Sequence, residues 1–310
     1  MLLLDTDKAS GRHTVYINAS AYKNTACPRR AFLTLIAGLR ESTDYKKEFG
    51  TAFHKFAQAY HSGLPATSGY SIAMEHYAEY QSLADWRDLQ YLLKTCQAYY
   101  NWHESQRIYT PIRVDGLPVL EKKFAVPFLS TPVADYVLCG TVDMLAQHPA
   151  FGLVLVDHKT TSIRTRDSYL AEYTFSPQLL MYTMMMHKLE QPIAGAIING
   201  IFMGKGQPPV IQLSDLITFS QPKLTEFESG LRSFVYRLDT ALVAYKLSPT
   251  SIEIFRRDYN QCGASKFGLC PFSVLCTLDT QPEIDALAST MFERKPYNPL
   301  TNYETIPTIA

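Results

Sequence analysis

The sequence predicts an α/β chain built on one mixed sheet. Three observations carry that expectation. The stretch "EFGTAFHKFAQAYHSG" places its aromatic residues at helical spacing, and "GTVDMLAQHPAFGLVLVDHKT", residues 140 to 160, reads as two apolar runs joined by a short turn. Beyond residue 176 the pattern returns to helix and then to strand. Helices, a hairpin-led sheet, then helix and further strands is the order of a layered α/β or α+β domain.

In chain order, the first hundred residues look helical. Phe53, Phe56, Ala57 and Tyr60 line one helical face, and Ser62-Gly63 ends that run. Residues 70 to 107, rich in Tyr and Ala, offer one or two more helices. Strands are expected near 118–128, 135–147 and 151–160, a helix near 176–190, strands near 193–203 and 209–218, and a long helix from 221 to 246. The tail after Cys276, with Pro282, Pro296, Pro299 and Pro307, is expected to be mostly irregular.

Composition narrows the class. The 310 residues are 46% hydrophobic and 19% charged, the profile of a soluble globular protein. Formal charge is zero, so no global basic field marks a nucleic-acid binder. Such contact would rest on local patches: Arg29-Arg30, Lys46-Lys47, Arg164/Arg166 and Arg256-Arg257. There is no internal repeat, no low-complexity tract and no P-loop pattern, which argues against an ATP motor. The opening MLLLDTDKAS lacks a basic n-region followed by an apolar stretch, and no uncharged apolar run approaches the roughly 20 residues of a membrane span. The expectation is a cytoplasmic protein without a membrane partner.

The 140–160 hairpin raises a chemical question, because each apolar run carries an aspartate. The simplest antiparallel register around the His148–Gly152 turn sets position i opposite 300 minus i, and so Asp143 across from Asp157. Side chains directly opposite lie on the order of 5 Å apart, and Lys159 shares the face of Asp157. Two carboxylates so close raise one pKa strongly or recruit a cation, and an oxygen-rich pair suits Mg²⁺ or Mn²⁺. Such an ion activates water and shields charge on a phosphodiester, with Lys159 orienting the nucleophile or stabilising the transition state. The bare pattern acid-x-Lys occurs at Asp44, Glu121, Asp157 and Glu293, and only the Asp157 copy ends an apolar, β-branched run with an aspartate-bearing partner. The ordinary alternative is a salt bridge at a strand end, with Asp143 capping a bend.

Three further features bear on the choice. Gln178 and Tyr182 in "SPQLLMYTMMMHKL" stand four apart, on one helical face. His54 lies beside the apolar stripe of its helix. Cys27 near the start and Cys262, Cys270 and Cys276 near the end suit a four-cysteine site tying the two ends together, whereas Cys96 and Cys139 read as core cysteines. Spacing alone does not separate a [4Fe–4S] cluster from Zn²⁺.

Taken in order, Cys27-Pro-Arg-Arg, Gly50-Thr-Ala-Phe-His54, Glu121 in "LEKKF", Gly140-Thr-Val-Asp143, Asp157-His-Lys159, Gln178-x-x-x-Tyr182 and the late cysteines resemble the PD-(D/E)XK nuclease superfamily. They look most like its RecB-like branch with an iron–sulfur cluster, which includes the AddB nuclease domain, CRISPR-adaptation nucleases and phage exonucleases. The resemblance runs from about residue 20 to 278. It implies a restriction-endonuclease-like mixed sheet flanked by helices, in a single nuclease domain over 1–280. Within that domain it implies a helical part at 19–107, a catalytic core at 108–248 and a cysteine module at 256–278, with a tail at 281–310.

It further implies that His54, Asp143 and Asp157 bind Mg²⁺ or Mn²⁺, with the backbone carbonyl of His158. Lys159 would be the catalytic lysine, Gln178 and Tyr182 would position the DNA strand, and Glu121 matches an acid on the preceding strand. Cys27, Cys262, Cys270 and Cys276 would hold a structural [4Fe–4S] cluster, Zn²⁺ being the alternative. One departure is that seven residues separate Cys262 from Cys270, where the family often has two.

The resulting expectation is a metal-dependent DNA nuclease, an exonuclease acting on single strands or DNA ends beside a helicase or recombinase in DNA processing, recombination or repair. Asp157→Ala would abolish cleavage with little loss of fold. The competing expectation is a non-cleaving DNA- or helicase-binding module with a structural iron–sulfur or zinc site.

Overall fold

The computed structural model describes residues 5–6, 12–23, 26–40, 45–81, 85–163, 165–248, 252–262 and 269–295. Its principal strands are β1 (His13–Ile17), β2 (Leu120–Ser130), β3 (Ala134–His148), β4 (Gly152–Thr161), β5 (Gly195–Gly204) and β6 (Gln207–Leu213). The principal helices are α1 (Tyr45–Ser62), α2 (Ala66–Ala78), α3 (Leu89–Gln106), α4 (Arg166–Ala171), α5 (Pro177–Lys188), α6 (Gln221–Leu247) and α7 (Gln281–Met291). No helix among the described residues is long and apolar enough to cross a membrane.

The chain forms two compact units. One comprises the described residues of Thr43–Phe124 and Thr141–Ser220. Here β3 and β4 pair antiparallel in the register Met144↔Val156 through His148↔Gly152. Every pair sums to 300, as the sequence predicted. β4 then pairs parallel with β5 and β5 antiparallel with β6, so the sheet is mixed. β5 is buried along nearly its whole length and β4 from Val154 to His158, which is why they read as continuous apolar runs rather than alternating ones.

The first three helices of this unit, α1 to α3, share one apolar cluster. Phe49, Phe53 and Phe56 of α1 meet Tyr77 of α2, Leu92, Cys96 and Tyr99 of α3, and Ile201 of β5. Each large side chain buried there contributes about 1.5–3 kcal/mol. Asp88 caps α3 by accepting the N–H of Tyr91 at 2.7 Å. Gly50 lets α1 approach β4 closely, since a Cβ at that position would stand 3.2 Å from Thr160 Oγ1. That approach delivers His54, one helical turn on, to the strand bearing Asp157, His158 and Lys159.

The second unit comprises the described residues of Met1–Ser42, Ala125–Gly140 and Gln221–Tyr303. β1 pairs parallel with the first half of β3, residues 134–138, and antiparallel with Asp5–Thr6. Tyr22 packs edge-on against Phe227 and Phe234 of α6, and Phe32 stacks on Phe255.

Two expectations need correction. The opening hundred residues are not all helical: His13–Ile17 is a strand, its alternation too short to stand out. The tail is not irregular at 281–291, where Thr280 and Glu283 form a capping box and Pro282 sits in the first turn, so the proline starts a helix rather than breaking one. Pro296, Pro299, Pro307 and Arg164 lie outside the described residues.

Candidate active site

The ladder of the β3–β4 hairpin stops at Met144↔Val156, one step short of the two aspartates. There the backbone N–H of His158 turns to the side chain of Asp143 and donates to Oδ2 at 2.7 Å. His54 reaches in from α1: its Nδ1 lies 3.1 Å from Glu121 Oε1 and 3.5 Å from Asp143 Oδ2, and its Nε2 lies 3.1 Å from the carbonyl oxygen of His158. Among the described residues, His54, Glu121 and Asp143 form a set whose ligand atoms all lie within 4.8 Å of one another. Two carboxylates and an imidazole at that spacing fit a divalent cation.

Glu121 reaches this place through an unusual backbone. It stands second in β2 with φ at 47°, the left-handed region that non-glycine residues rarely adopt. Holding it there costs on the order of 1 kcal/mol, and such positions cluster at functional sites. In the sequence, Glu121 gains a place in the site only through the family resemblance, its acid-x-Lys pattern being shared with three other positions, and nothing in "LEKKF" signals this kink.

The charges are tightly coupled. Burial disfavours the charged form of His54, yet Asp143 and the hydrogen bond to Glu121 outweigh it and raise the pKa to about 9. Burial would likewise raise the Asp143 carboxyl, but His54, the His158 side chain and Lys159 hold it well below the usual carboxylate range. Burial raises Glu121. Without a metal, a proton on His54 supplies the cation this pocket requires.

Asp157 faces a different set of partners. Fully buried, it has Oδ2 at 2.6 Å from Lys159 Nζ and accepts the Gln178 side-chain amide on Oδ1 at 2.9 Å. Burial and the nearby Asp143 charge raise the Asp157 carboxyl, and Lys159 offsets that rise. Asp157 and Asp143 in turn lift Lys159 above its ordinary value against the effect of burial, so it stays an ammonium at neutral pH. Gln178 also donates to the Tyr182 hydroxyl at 3.2 Å, making the α5 pair one unit with Asp157. Tyr182 packs edge-on against Phe124. Tyr173, which sequence reasoning passed over, is close enough for Asp157 to help burial raise its phenol, and it shares a 2.8 Å hydroxyl contact with Tyr169.

The four cysteines singled out in the sequence lie in the other unit, as neighbours. Cys27 and Cys270 are buried, and Cys262 and Cys276 half-buried. Cys27 Sγ accepts the Asp258 N–H at 3.5 Å, Cys262 Sγ donates to the Asp258 carbonyl at 3.5 Å, and the Cys270 N–H donates to the Cys262 carbonyl at 3.1 Å. Arg29 corrects the reading of Arg29-Arg30 as a surface patch. It is 4% exposed and its Nε donates to the Phe255 carbonyl at 2.8 Å. Cys96 and Cys139 are core residues, 1% and 0% exposed.

The chain matches the family model of the PD-(D/E)XK nuclease superfamily over residues 19–277. Among solved structures it is similar to the crystal structure of a protein from Eubacterium rectale provisionally named an exonuclease. The identity is 13%, covering 73% of this chain and 81% of that one, with a TM-score of 0.45. No curated protein matches the chain.

Proposed function

The chain belongs to the PD-(D/E)XK nuclease superfamily, and from that premise we propose that it hydrolyses phosphodiester bonds of DNA with Mg²⁺ or Mn²⁺. The observation that supports this most directly is the convergence of His54, Glu121 and Asp143 within 4.8 Å. His54, Asp143 and Glu121 would hold the cation, with Asp157 and the His158 carbonyl beside them. When bound, a divalent ion there lowers the pKa of water and shields charge on the phosphodiester. Lys159 remains protonated, so its role is to stabilise anionic charge rather than to act as a base. Gln178 orients Asp157 and, with Tyr182, places the DNA strand.

The test is degradation of end-labelled single- and double-stranded DNA with Mg²⁺, Mn²⁺ or EDTA, beside Asp143→Asn and Lys159→Met. Loss of substrate that needs the ion and disappears in both variants supports the proposal. Cleavage that survives in Asp143→Asn overturns it.

Within this reading the chain is an exonuclease of the RecB-like, AddB-like branch, working in the cytoplasm on DNA ends with a helicase or recombinase, and Cys27, Cys262, Cys270 and Cys276 hold a [4Fe–4S] cluster. One feature favours the cluster over Zn²⁺. One zinc ion at about 2.3 Å from each sulfur draws the thiolates to about 3.8 Å from one another, and among the described residues no three of these sulfurs meet within 4.8 Å. The buried Arg29 lies beside Cys276 and Cys27, where the anionic thiolate site of either group would compensate its charge. Iron and sulfide in protein purified without oxygen support the cluster; a colourless protein with one zinc per chain excludes it.

A further inference from the structure

His158 stands at the back of the candidate site and serves it with its main chain: the N–H donates to Asp143 and the carbonyl faces His54. Its imidazole lies in the core, with Nε2 at 2.9 Å from the Tyr99 hydroxyl. The same hydroxyl is 2.8 Å from His61 Nε2. Tyr99, His61 and His158 are all buried. On the other side of the His158 ring, Nδ1 is 3.7 Å from Asp143 Oδ2.

A phenol has one proton to give, and a neutral imidazole one N–H. The hydroxyl therefore donates to one ring and accepts from the other, or accepts from both rings while donating to Tyr109. If Tyr99 donates to His61 or to Tyr109, His158 carries its proton on Nε2 and turns a bare Nδ1 lone pair toward the Asp143 carboxylate. If Tyr99 donates to His158, His61 donates to Tyr99 and His158 presents Nδ1–H toward Asp143. In a buried, weakly screened setting the carboxylate selects this last order. Burial keeps His61 neutral, with one N–H to give. The flank agrees: Asn199 donates to the Tyr109 hydroxyl at 2.6 Å, leaving the Tyr109 proton to face the Tyr99 oxygen at 3.4 Å.

We propose that Tyr99 and His61 are positioning residues that act through the imidazole of His158 to fix the direction of the Asp143 carboxylate. The inference rests on the reading that Asp143 holds the divalent cation. Groups behind a metal ligand typically carry 10–100-fold of metal affinity or activity, and Tyr99→Phe removes this one without touching a ligand.

Two measurements on the full chain test it. The first is ¹⁵N NMR of the histidine rings at pH 8 in wild type, Tyr99→Phe and Asp143→Asn. The expected result is Nδ1–H on His158 in wild type and loss of that preference in both variants. The second is the affinity for Mn²⁺ alone, without DNA, by EPR. Tyr99→Phe should bind about 10–100-fold more weakly, with kcat reduced and KM for DNA unchanged. Wild-type His158 protonated on Nε2, or Tyr99→Phe binding Mn²⁺ as wild type does, overturns the proposal. The wild-type tautomer needs no variant, so it decides even if Tyr99→Phe does not fold. If wild type binds no Mn²⁺, the metal reading of Asp143 fails on its own while the tautomer still judges this inference.

Discussion

The carboxylate of Asp143 accepts the backbone N–H of His158 at 2.7 Å, so the main chain of β4 orients an acid on the neighbouring strand. The hairpin brings the two acids together, and its ladder ends where they meet. Asp143 and Asp157 consequently differ in role by environment: one faces His54 and Glu121, the other Lys159 and Gln178.

That division predicts effects on His54. Asp143 through its charge, and Glu121 through a hydrogen bond and its charge, raise the His54 pKa to about 9. Asp143→Asn and Glu121→Gln should therefore each lower it, and both should weaken Mg²⁺ binding by about 10–100-fold or more. NMR titration of His54 in the metal-free variants checks this, and a His54 pKa that stays near 9 in either variant would contradict it.

Asp157 is a different case. From the sequence, Asp157→Ala is expected to leave the fold largely intact, but the buried carboxylate neutralises Lys159, whose side chain is 24% exposed. Removing it strands an ammonium, at a cost of about 2–3 kcal/mol after allowing for that exposure. Asp157→Ala/Lys159→Met should recover much of the loss while remaining inactive. Urea unfolding of the two singles and the double reads the coupling, and simple additivity would show that the pair contributes nothing.

Much of this was legible in the chain. The short His148–Gly152 turn made the β3–β4 register legible, because the simplest symmetric pairing around it is the one the strands adopt. The i, i+4 spacing of Gln178 and Tyr182 foretold their contact. What stayed hidden depends on backbone conformation or on tertiary packing. The left-handed φ of Glu121 has no residue signature. Arg29 reads as a surface cation until Phe255, more than two hundred residues away, is seen to accept its Nε–H. Tyr99 and His61 carry no sequence signal of their role, because the hydrogen bonds from His61 to Tyr99 and from Tyr99 to His158 leave no mark on helical spacing.

Metal-free protein should lose stability in alkali. His54 has a folded pKa of about 9 against an ordinary 6.5. Its contribution, on the order of 3 kcal/mol, is fully present below pH 6.5 and is lost as pH rises through 9. A cation must displace that proton, so Mg²⁺ affinity should rise by up to about tenfold per pH unit from 7 to 9. Thermal melts with EDTA or Mg²⁺ at pH 6, 7.5 and 9 should show the Mg²⁺-induced gain growing with pH. A gain that is flat or falls with pH would mean that the ion does not compete with the His54 proton.

His61, seven residues further along α1, predicts the opposite dependence. Burial, with His158 and His103 nearby, holds its pKa well below 6.5, and burial lowers His103 as well. Below pH 6.5 the unfolded chain takes up protons that these native histidines refuse, so stability falls as the solution is acidified. The slope is up to about 1.4 kcal/mol per pH unit for each histidine that stays neutral. Urea midpoints at pH 5 and 7 should differ in wild type and converge in His61→Gln, where one refusing group is gone. An unchanged acid slope in that variant would place the sensitivity in His103 or elsewhere. With His54 acting in alkali and His61 in acid, one helix gives the metal-free protein a stability maximum between about pH 6 and 8.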